Sequence, residues 1–282
     1  MTAPVSSPAA TPTEAERFFF DNNGYLVLEN FLTPAHVERL CAALHAATAR
    51  RRAGVPPGHK PVWPPRVPAD CTQIHGEKSA RILNLLEDDP LLLELLTWPA
   101  LLPYLRALLH PIPHYHASDA ILEDAQDFMD RPPGWHIDGY GDAYRSLGRP
   151  IPLLQLKVGY YLSDMTQPWR GNLTVVPGSH KANREPTAED LGRRDLFPGA
   201  VQVCAPAGTA ILFHNAIWHT AAPYQQGAAG RTMLYYGYEQ PWMLGNCAHW
   251  NYSKGFYNQK LTPEARKFFH GFVFDPPEQR MW

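Results

Sequence analysis

The 282-residue chain lacks any pronounced charge bias: 25 lysines and arginines against 27 aspartates and glutamates leave a formal net charge of −2. A nucleic-acid surface needs a strong basic excess, so no nucleic-acid partner is expected. Cysteine is sparse. Cys41, Cys71, Cys204 and Cys247 are scattered and no pair has CxxC spacing, which argues against a zinc knuckle or a redox dithiol. Long apolar runs are missing too. The richest, LLLELLTWPALLPYLRALL, is interrupted by Glu94, Pro99, Pro103 and Arg106, a pattern that a membrane span tolerates poorly. The opening MTAPVSSPAATPTEAE has neither a basic start nor an apolar centre, so it does not read as a signal peptide. Its composition predicts a disordered tail over residues 1–13. There is no internal repeat. These absences point to a cytoplasmic protein with reduced thiols and no membrane partner.

What the chain has in plenty is proline, 29 in all, which suits short strands and loops better than an all-helical fold. Residues 14–282 read as one domain in three parts: a helical buttress at 14–110, a strand-rich core at about 111–240, and an aromatic extension at 241–282. A helix is expected over Glu14–Asp21, ending at the turn signal Asn23-Gly24. Tyr25–Leu28 follows as a strand. Thr33-Pro34 supplies an N-cap and a first-turn proline for a helix with Val37, Leu40, Cys41, Leu44 and Ala47 at helical spacing. A second helical block runs from Pro90 to Leu109, split at Pro99. From His114 the texture changes to short β-rich runs, at His114–Leu122, Leu153–Leu162, Leu173–Val176, Ala200–Val203, Thr209–Phe213, Ile217–Ala221 and Arg231–Tyr238. The spacing predicts an antiparallel sandwich or barrel buttressed from outside by the helices. One more helical stretch is expected near Thr262–Phe269.

Within the strand-rich region, GWHIDGY places His136 and Asp138 two residues apart. In extended backbone, such residues point to the same side, so an imidazole nitrogen and a carboxylate oxygen can take adjacent positions on one metal ion. Two histidines and one carboxylate on one face form the facial triad of non-haem Fe(II) oxygenases, which leaves positions open for a co-substrate and O₂. Taken alone, His-x-Asp is as readily a histidine held by a nearby aspartate on a loop. The third ligand is expected in AILFHNAIWHTAAP, where His219 lies in a β-like stretch and His214 competes with it. Arg231 follows His219 by twelve residues. A guanidinium pairs bidentately with a carboxylate, as the far end of a dicarboxylic co-substrate would require. Between these pieces, RGNLTVVPGSHK gives a strand, a Pro177-Gly178 turn, and Ser179 and His180 able to hold that turn.

In that order, the pieces GYLVLENFLTPAHVERL, DPLLLELLTWPALLPYL, WHIDG, GNLTVVPGSHK and AGTAILFHNAIWHTAAP…GR resemble the phytanoyl-CoA dioxygenase family of Fe(II)- and 2-oxoglutarate-dependent oxygenases. The resemblance spans Gly24 to Tyr238. It implies a mainly β fold with flanking helices around a double-stranded β-helix (jelly-roll, cupin-like) core. It implies iron on His136, Asp138 and His219, and 2-oxoglutarate on that iron with its distal carboxylate on Arg231. Further co-substrate contacts in such enzymes come from positions that Ser118 and Asn84 roughly occupy here. The family often carries a hydroxyl two residues after the distal histidine; this chain has Ala221, with Thr220 or Tyr160 as possible substitutes. Related halogenases replace the carboxylate at position 138, so its presence favours hydroxylation of a small organic molecule, in natural-product tailoring or catabolism, with release of succinate and CO₂.

For the substrate, the loop Gly139–Arg149 and the aromatics Trp242, Trp250, Tyr252 and Phe256 are candidate pocket walls or, equally, core. Gln155 and Lys157 alternate along one strand. If they face the barrel interior, a buried lysine needs an anionic partner. Two other classes stay open on the sequence: a cupin-like metal-binding protein without oxygenase activity, and a catalytically inactive binding module.

Overall fold

A computed structural model describes residues 11–62, 65, 67–138, 144–193, 195–243, 252–253 and 255–269. In chain order they form α1 (Glu14–Asn23), β1 (Tyr25–Leu28), α2 (Pro34–Ala53), β2 (Thr72–Ile74), β3 (Ala80–Leu83), α3 (Pro90–Glu94), α4 (Leu102–Leu108), β4 (His114–Glu123), β5 (Gln155–Tyr161), β6 (Leu173–Val175), α5 (Ala188–Gly192), β7 (Val201–Gln202), β8 (Ala210–His214), β9 (His219–Ala221), β10 (Arg231–Glu239) and α6 (Pro263–Arg266).

The local signals act as their chemistry requires. Thr13 caps α1 in a reciprocal box with Glu16, and Gly24 ends the helix in the left-handed region at φ 80°. Thr33 caps α2, and Pro34 costs nothing at the first helical position because the N–H it lacks would be unpaired there anyway. Pro90 and Pro103 likewise sit in the first turns of α3 and α4. The second helical block is broken as expected near Pro99. No single helix among the described residues is long and apolar enough to cross a membrane; Pro90–Thr97 and Leu102–Leu108 are bent by 44° relative to each other. Their Leu92, Leu95, Leu96, Tyr104 and Leu105 are buried in the core.

Two antiparallel sheets make the jelly roll. The larger has the order β1-β8-β5-β10-β4-β3-β2, and the smaller β7-β6-β9. His136 extends the smaller sheet through an isolated bridge to His219. The strand period of two sorts the larger sheet into two faces. Leu26, Leu28, Leu156, Val158, Tyr160, Ala210, Leu212, Leu234, Tyr236 and Tyr238 pack with the helices in one apolar cluster. Tyr25, Val27, Tyr161, Ile211, Phe213 and Met233 point the other way, against Leu173, Val175 and Ile217 of the smaller sheet and its connections. Each deeply buried leucine cut to alanine here would cost about 2–5 kcal/mol.

Several expectations shift. The hairpin β2–β3 is absent from the sequence reading: its strands are short, and its register ends beyond a half-exposed Arg81 with no clean alternation. The expected helix at Thr262–Phe269 shrinks to the one turn of α6. Tyr252 and Phe256 pack in the core on the helix side with Tyr115 and Phe269, where Tyr252 also borders a cavity separate from the one beside His136, while Trp242 is 68% exposed. The tail at 1–10, the first part of the loop after Asp138 (139–143) and Trp250 lie outside the described residues.

Candidate metal centre

His136 is positioned by a two-way backbone bridge: its N–H donates to the His219 carbonyl and the His219 N–H to its own, each at 3.0 Å. The Asp138 N–H donates to the Asn215 carbonyl at 2.8 Å. Between them, Ile137 turns outward into a cluster with Trp135 and Trp218. His136 and Asp138 thus share the inner side, as the spacing implied. Donor atoms of His136, Asp138 and His219 all lie within 4.8 Å of one another, the only such cluster of histidine, cysteine and carboxylate side chains among the described residues.

Both imidazoles are prepared as ligands. His136 Nδ1 lies 2.7 Å from the Gly134 carbonyl and His219 Nδ1 2.9 Å from the Ile217 carbonyl. A carbonyl only accepts, so each Nδ1 carries the hydrogen and each Nε2 keeps its lone pair free. Burial, reinforced by the neighbouring His136, pushes the His219 pKa down to about 4, so it is neutral at ordinary pH. Asp138 is held at about 2: burial alone would raise it, but Lys157, His219 and His136 outweigh that. Lys157 Nζ lies 3.9 Å from Asp138 Oδ1, so the lysine does face the interior and has its anion. Gln155, on the same face, donates to buried Glu239 at 3.1 Å. Two histidines and one carboxylate are a donor set that suits Fe(II).

His214, the competing third ligand, belongs elsewhere. It shares the parity of Ala210 and Leu212 on β8, its Nδ1 accepts the Ala216 N–H at 2.9 Å, and its ring stacks 4.9 Å from that of His180.

Arg231 opens β10 on the inner face, directly across from Glu123 on β4. Its Nε donates to Glu123 Oε2 at 2.7 Å and its Nη1 to the Gly171 carbonyl, while Nη2 has no hydrogen bond among the described residues. Glu123 also takes Arg131 at 3.0 Å and the Tyr224 hydroxyl at 2.8 Å. Burial pushes the Glu123 pKa up, but Arg231, Arg131 and Tyr224 bring it down to about 2. A cavity of about 170 Å³ joins this guanidinium to His136, Asp138 and His219, with Leu173, Phe213 and Ile121 among its apolar walls. A metal-binding cluster and a buried cation in one cavity are what a chelating keto-diacid requires at its two ends.

Ser118 and Asn84 are not in this cavity. Ser118 lies opposite Tyr236 and turns to the helix side, where its hydroxyl accepts the Leu85 N–H at 3.0 Å and bonds the Tyr115 hydroxyl at 2.7 Å. Asn84, in the left-handed region at φ 56°, donates to Cys71 Sγ at 3.4 Å and borders a separate cavity with Arg51 and Tyr252. Strand parity is the reason: in β4 it is Asp119, Ile121 and Glu123 that face inward. Tyr160 is buried against Phe31 on the helix side, and Thr220 borders the cavity with its hydroxyl given to the Ala221 carbonyl at 3.2 Å. The sequence reading passed over the Arg81–Asp119 pair, joined at 2.7 Å, and Tyr235. Polar residues at alternate positions of an otherwise apolar strand, as in SDAILE, were the signal for Asp119 and Glu123. Tyr235, four residues after Arg231, shares its face for the same reason.

Paired sheets with two histidines and a carboxylate between them, facing a buried arginine, define a non-haem iron, 2-oxoglutarate-dependent dioxygenase. The phytanoyl-CoA dioxygenase (PhyH) family model matches residues 20–232, and the chain belongs to that family. Solved structures share the fold at low identity. HygX from Streptomyces hygroscopicus with nickel and 2-oxoglutarate bound is 21% identical, with a TM-score of 0.61, over 82% of this chain and 88% of that one. EctD from S. alaskensis with bound Fe is 21% identical, with a TM-score of 0.64, over 85% and 80%. The non-heme alpha ketoglutarate dependent carbocyclase SnoK from nogalamycin biosynthesis is 19% identical, with a TM-score of 0.59, over 84% and 87%. No curated protein matches the sequence.

Proposed function

We propose that this chain is a cytoplasmic hydroxylase of a small organic molecule, with His136, Asp138 and His219 holding iron and Arg231 binding the distal carboxylate of 2-oxoglutarate. The observation that carries the reading is the donor cluster, three ligand atoms within 4.8 Å with both histidines hydrogen-bonded through Nδ1 to carbonyls. Iron, when bound with 2-oxoglutarate, supplies the activation of O₂ that couples decarboxylation to succinate and CO₂ with oxidation of the substrate. The protein's part is positioning. Asp138, kept ionised by Lys157, fills the place a halide would need, which favours hydroxylation over halogenation. Phe213, Leu173 and Ile121 keep water from the cavity between the ligands and Arg231. Thiols at Cys41 and Cys204 that are not in disulfides suit a reducing compartment. A small-molecule substrate agrees with two structural neighbours, HygX solved with hygromycin B and EctD solved with 5-hydroxyectoine.

The test is succinate release from 2-oxoglutarate under O₂, with and without Fe(II), across a panel of small natural products. Iron-dependent release stimulated by a panel member, and recovery of that member with one added oxygen, is the expected result. Iron bound without turnover of 2-oxoglutarate would leave a metal-binding cupin instead; no metal bound at all would leave a binding module.

A further inference from the structure

Arg231 does not fill its cavity end alone. Its Nε and Nη1 are committed to Glu123 and Gly171, leaving Nη2 for an incoming carboxylate. Leu173 and Ala221 line the cavity without polar side-chain atoms, and the hydroxyl of Thr220 is already donated to a carbonyl. That leaves the phenol of Tyr235 as the uncommitted hydroxyl among the described lining residues. Its hydrogen bond is to Met233 Sδ at 3.4 Å, and a thioether is a weak acceptor. Arg231 Nη1 rests on the same sulfur at 3.3 Å. Four residues apart on an extended strand, the two Cα atoms are about 13 Å apart, yet both side chains converge on Met233, so they lean toward each other across the cavity wall. The ring has room to do so because Gly159 lies directly across the ladder: a Cβ there would come within 2.9 Å of Tyr235 Cε1. Burial raises the phenol's pKa, so it stays a donor.

We propose that Tyr235 is a second anchor for the distal carboxylate of 2-oxoglutarate, donating its O–H to that carboxylate beside Arg231 Nη2. The inference rests on the reading of Arg231 given above. Exchanging a sulfur acceptor for a carboxylate is favourable because hydrogen bonds to charged acceptors are the stronger class. Tyr235 is thus a positioning residue for the co-substrate.

The experiment uses the full-length, Fe(II)-loaded protein without O₂ and follows the charge-transfer absorption that a chelated keto acid develops. Two probes are titrated: 2-oxoglutarate, and 2-oxobutyrate, which has the same keto-acid end and no distal carboxylate. Tyr235→Phe keeps the ring against Gly159 and removes one oxygen. It should weaken 2-oxoglutarate about tenfold, the loss expected for a hydrogen bond to a charged group, and leave 2-oxobutyrate unchanged. Affinity for 2-oxoglutarate within about twofold of the parent would overturn the inference, as would equal losses for both acids, which would assign Tyr235 to the metal end. Arg231→Leu is measured alongside. If it leaves 2-oxoglutarate binding intact, the reading of Arg231 itself falls, a result distinct from failure at Tyr235.

Discussion

Among the described residues, two pairs of histidines have their rings in contact, and they have opposite fates. In one, the rings of His136 and His219 are 4.2 Å apart; in the other, those of His180 and His214 are 4.9 Å apart. His214 and His219 are separated by five residues. The first pair faces inward, each Nδ1 saturated by a carbonyl behind it, with Asp138 beside it. The second faces away from the cavity, and the carboxylate that acts there, Asp21, acts on His180 rather than lying between the two rings. There His214 accepts the Ala216 N–H, and His180 Nε2 donates to the Asp21 carbonyl at 3.0 Å. Gly24 packs so tightly on His180 that a Cβ would come within 2.6 Å of its Nδ1. The residue type is the same; what differs is that in the proposed metal site each Nδ1 is held by a carbonyl and Asp138 offers a third donor atom beside the rings.

The sharpest way to break this contrast is to delete one member of each pair. His219→Ala should abolish metal binding and 2-oxoglutarate turnover while the fold persists, read by metal analysis and circular dichroism. His214→Ala should do the reverse, keeping the metal and losing about 2–4 kcal/mol of stability, because it orphans the Ala216 N–H and opens a void in a packed region. If His214→Ala lost the metal instead, the assignment of ligands would be wrong.

Asp138→Asn makes the first pair resemble the second by removing its anion. Metal affinity should drop by at least about 100-fold, beyond the roughly 10–100-fold that follows from disturbing groups behind metal ligands. Calorimetric titration with Fe(II) or Ni(II) gives the number, and near-parental affinity would mean that the carboxylate is not a ligand.

The smallest effect is in the pH dependence of stability. Burial first, then His180 and Lys181, lower the His214 pKa from 6.5 to about 3. Between those values the unfolded chain takes up a proton that the folded chain refuses, so this contribution is complete above pH 6.5 and is lost as pH falls toward 3. His214→Asn, whose carbonyl can still accept the Ala216 N–H, should flatten melting temperature against pH across that window. An unchanged acid limb would assign the loss to other groups.

Much of the inner face was legible in the sequence because it depends on periodicity. His136 and Asp138 share a side, and β4, β5, β8 and β10 fall within a residue or two of their expected bounds; alternation alone allowed Lys157 to face either way, and it faces the interior. What was hidden depends on register between distant strands. Nothing local says that Arg231 stands opposite Glu123, or Gly159 opposite Tyr235. Ser118 and Asn84 were assigned by rough position along the chain, and one residue of offset in a strand turns a side chain to the other face. The same rule sets His214 and His219 apart, since five residues and a turn between them reverse the side on which each emerges.

Gly171 has a reach that its own surface does not suggest. With φ 73°, it starts the turn into β6, and a Cβ there would stand 2.5 Å from Tyr224 Oη and 2.9 Å from Arg231 Cδ. Its carbonyl also fixes the guanidinium it would otherwise displace. Any larger residue at this corner would therefore press on the arginine in its berth, so under the role proposed for Arg231 a change in the main-chain bend could weaken co-substrate binding without touching a metal-binding side chain.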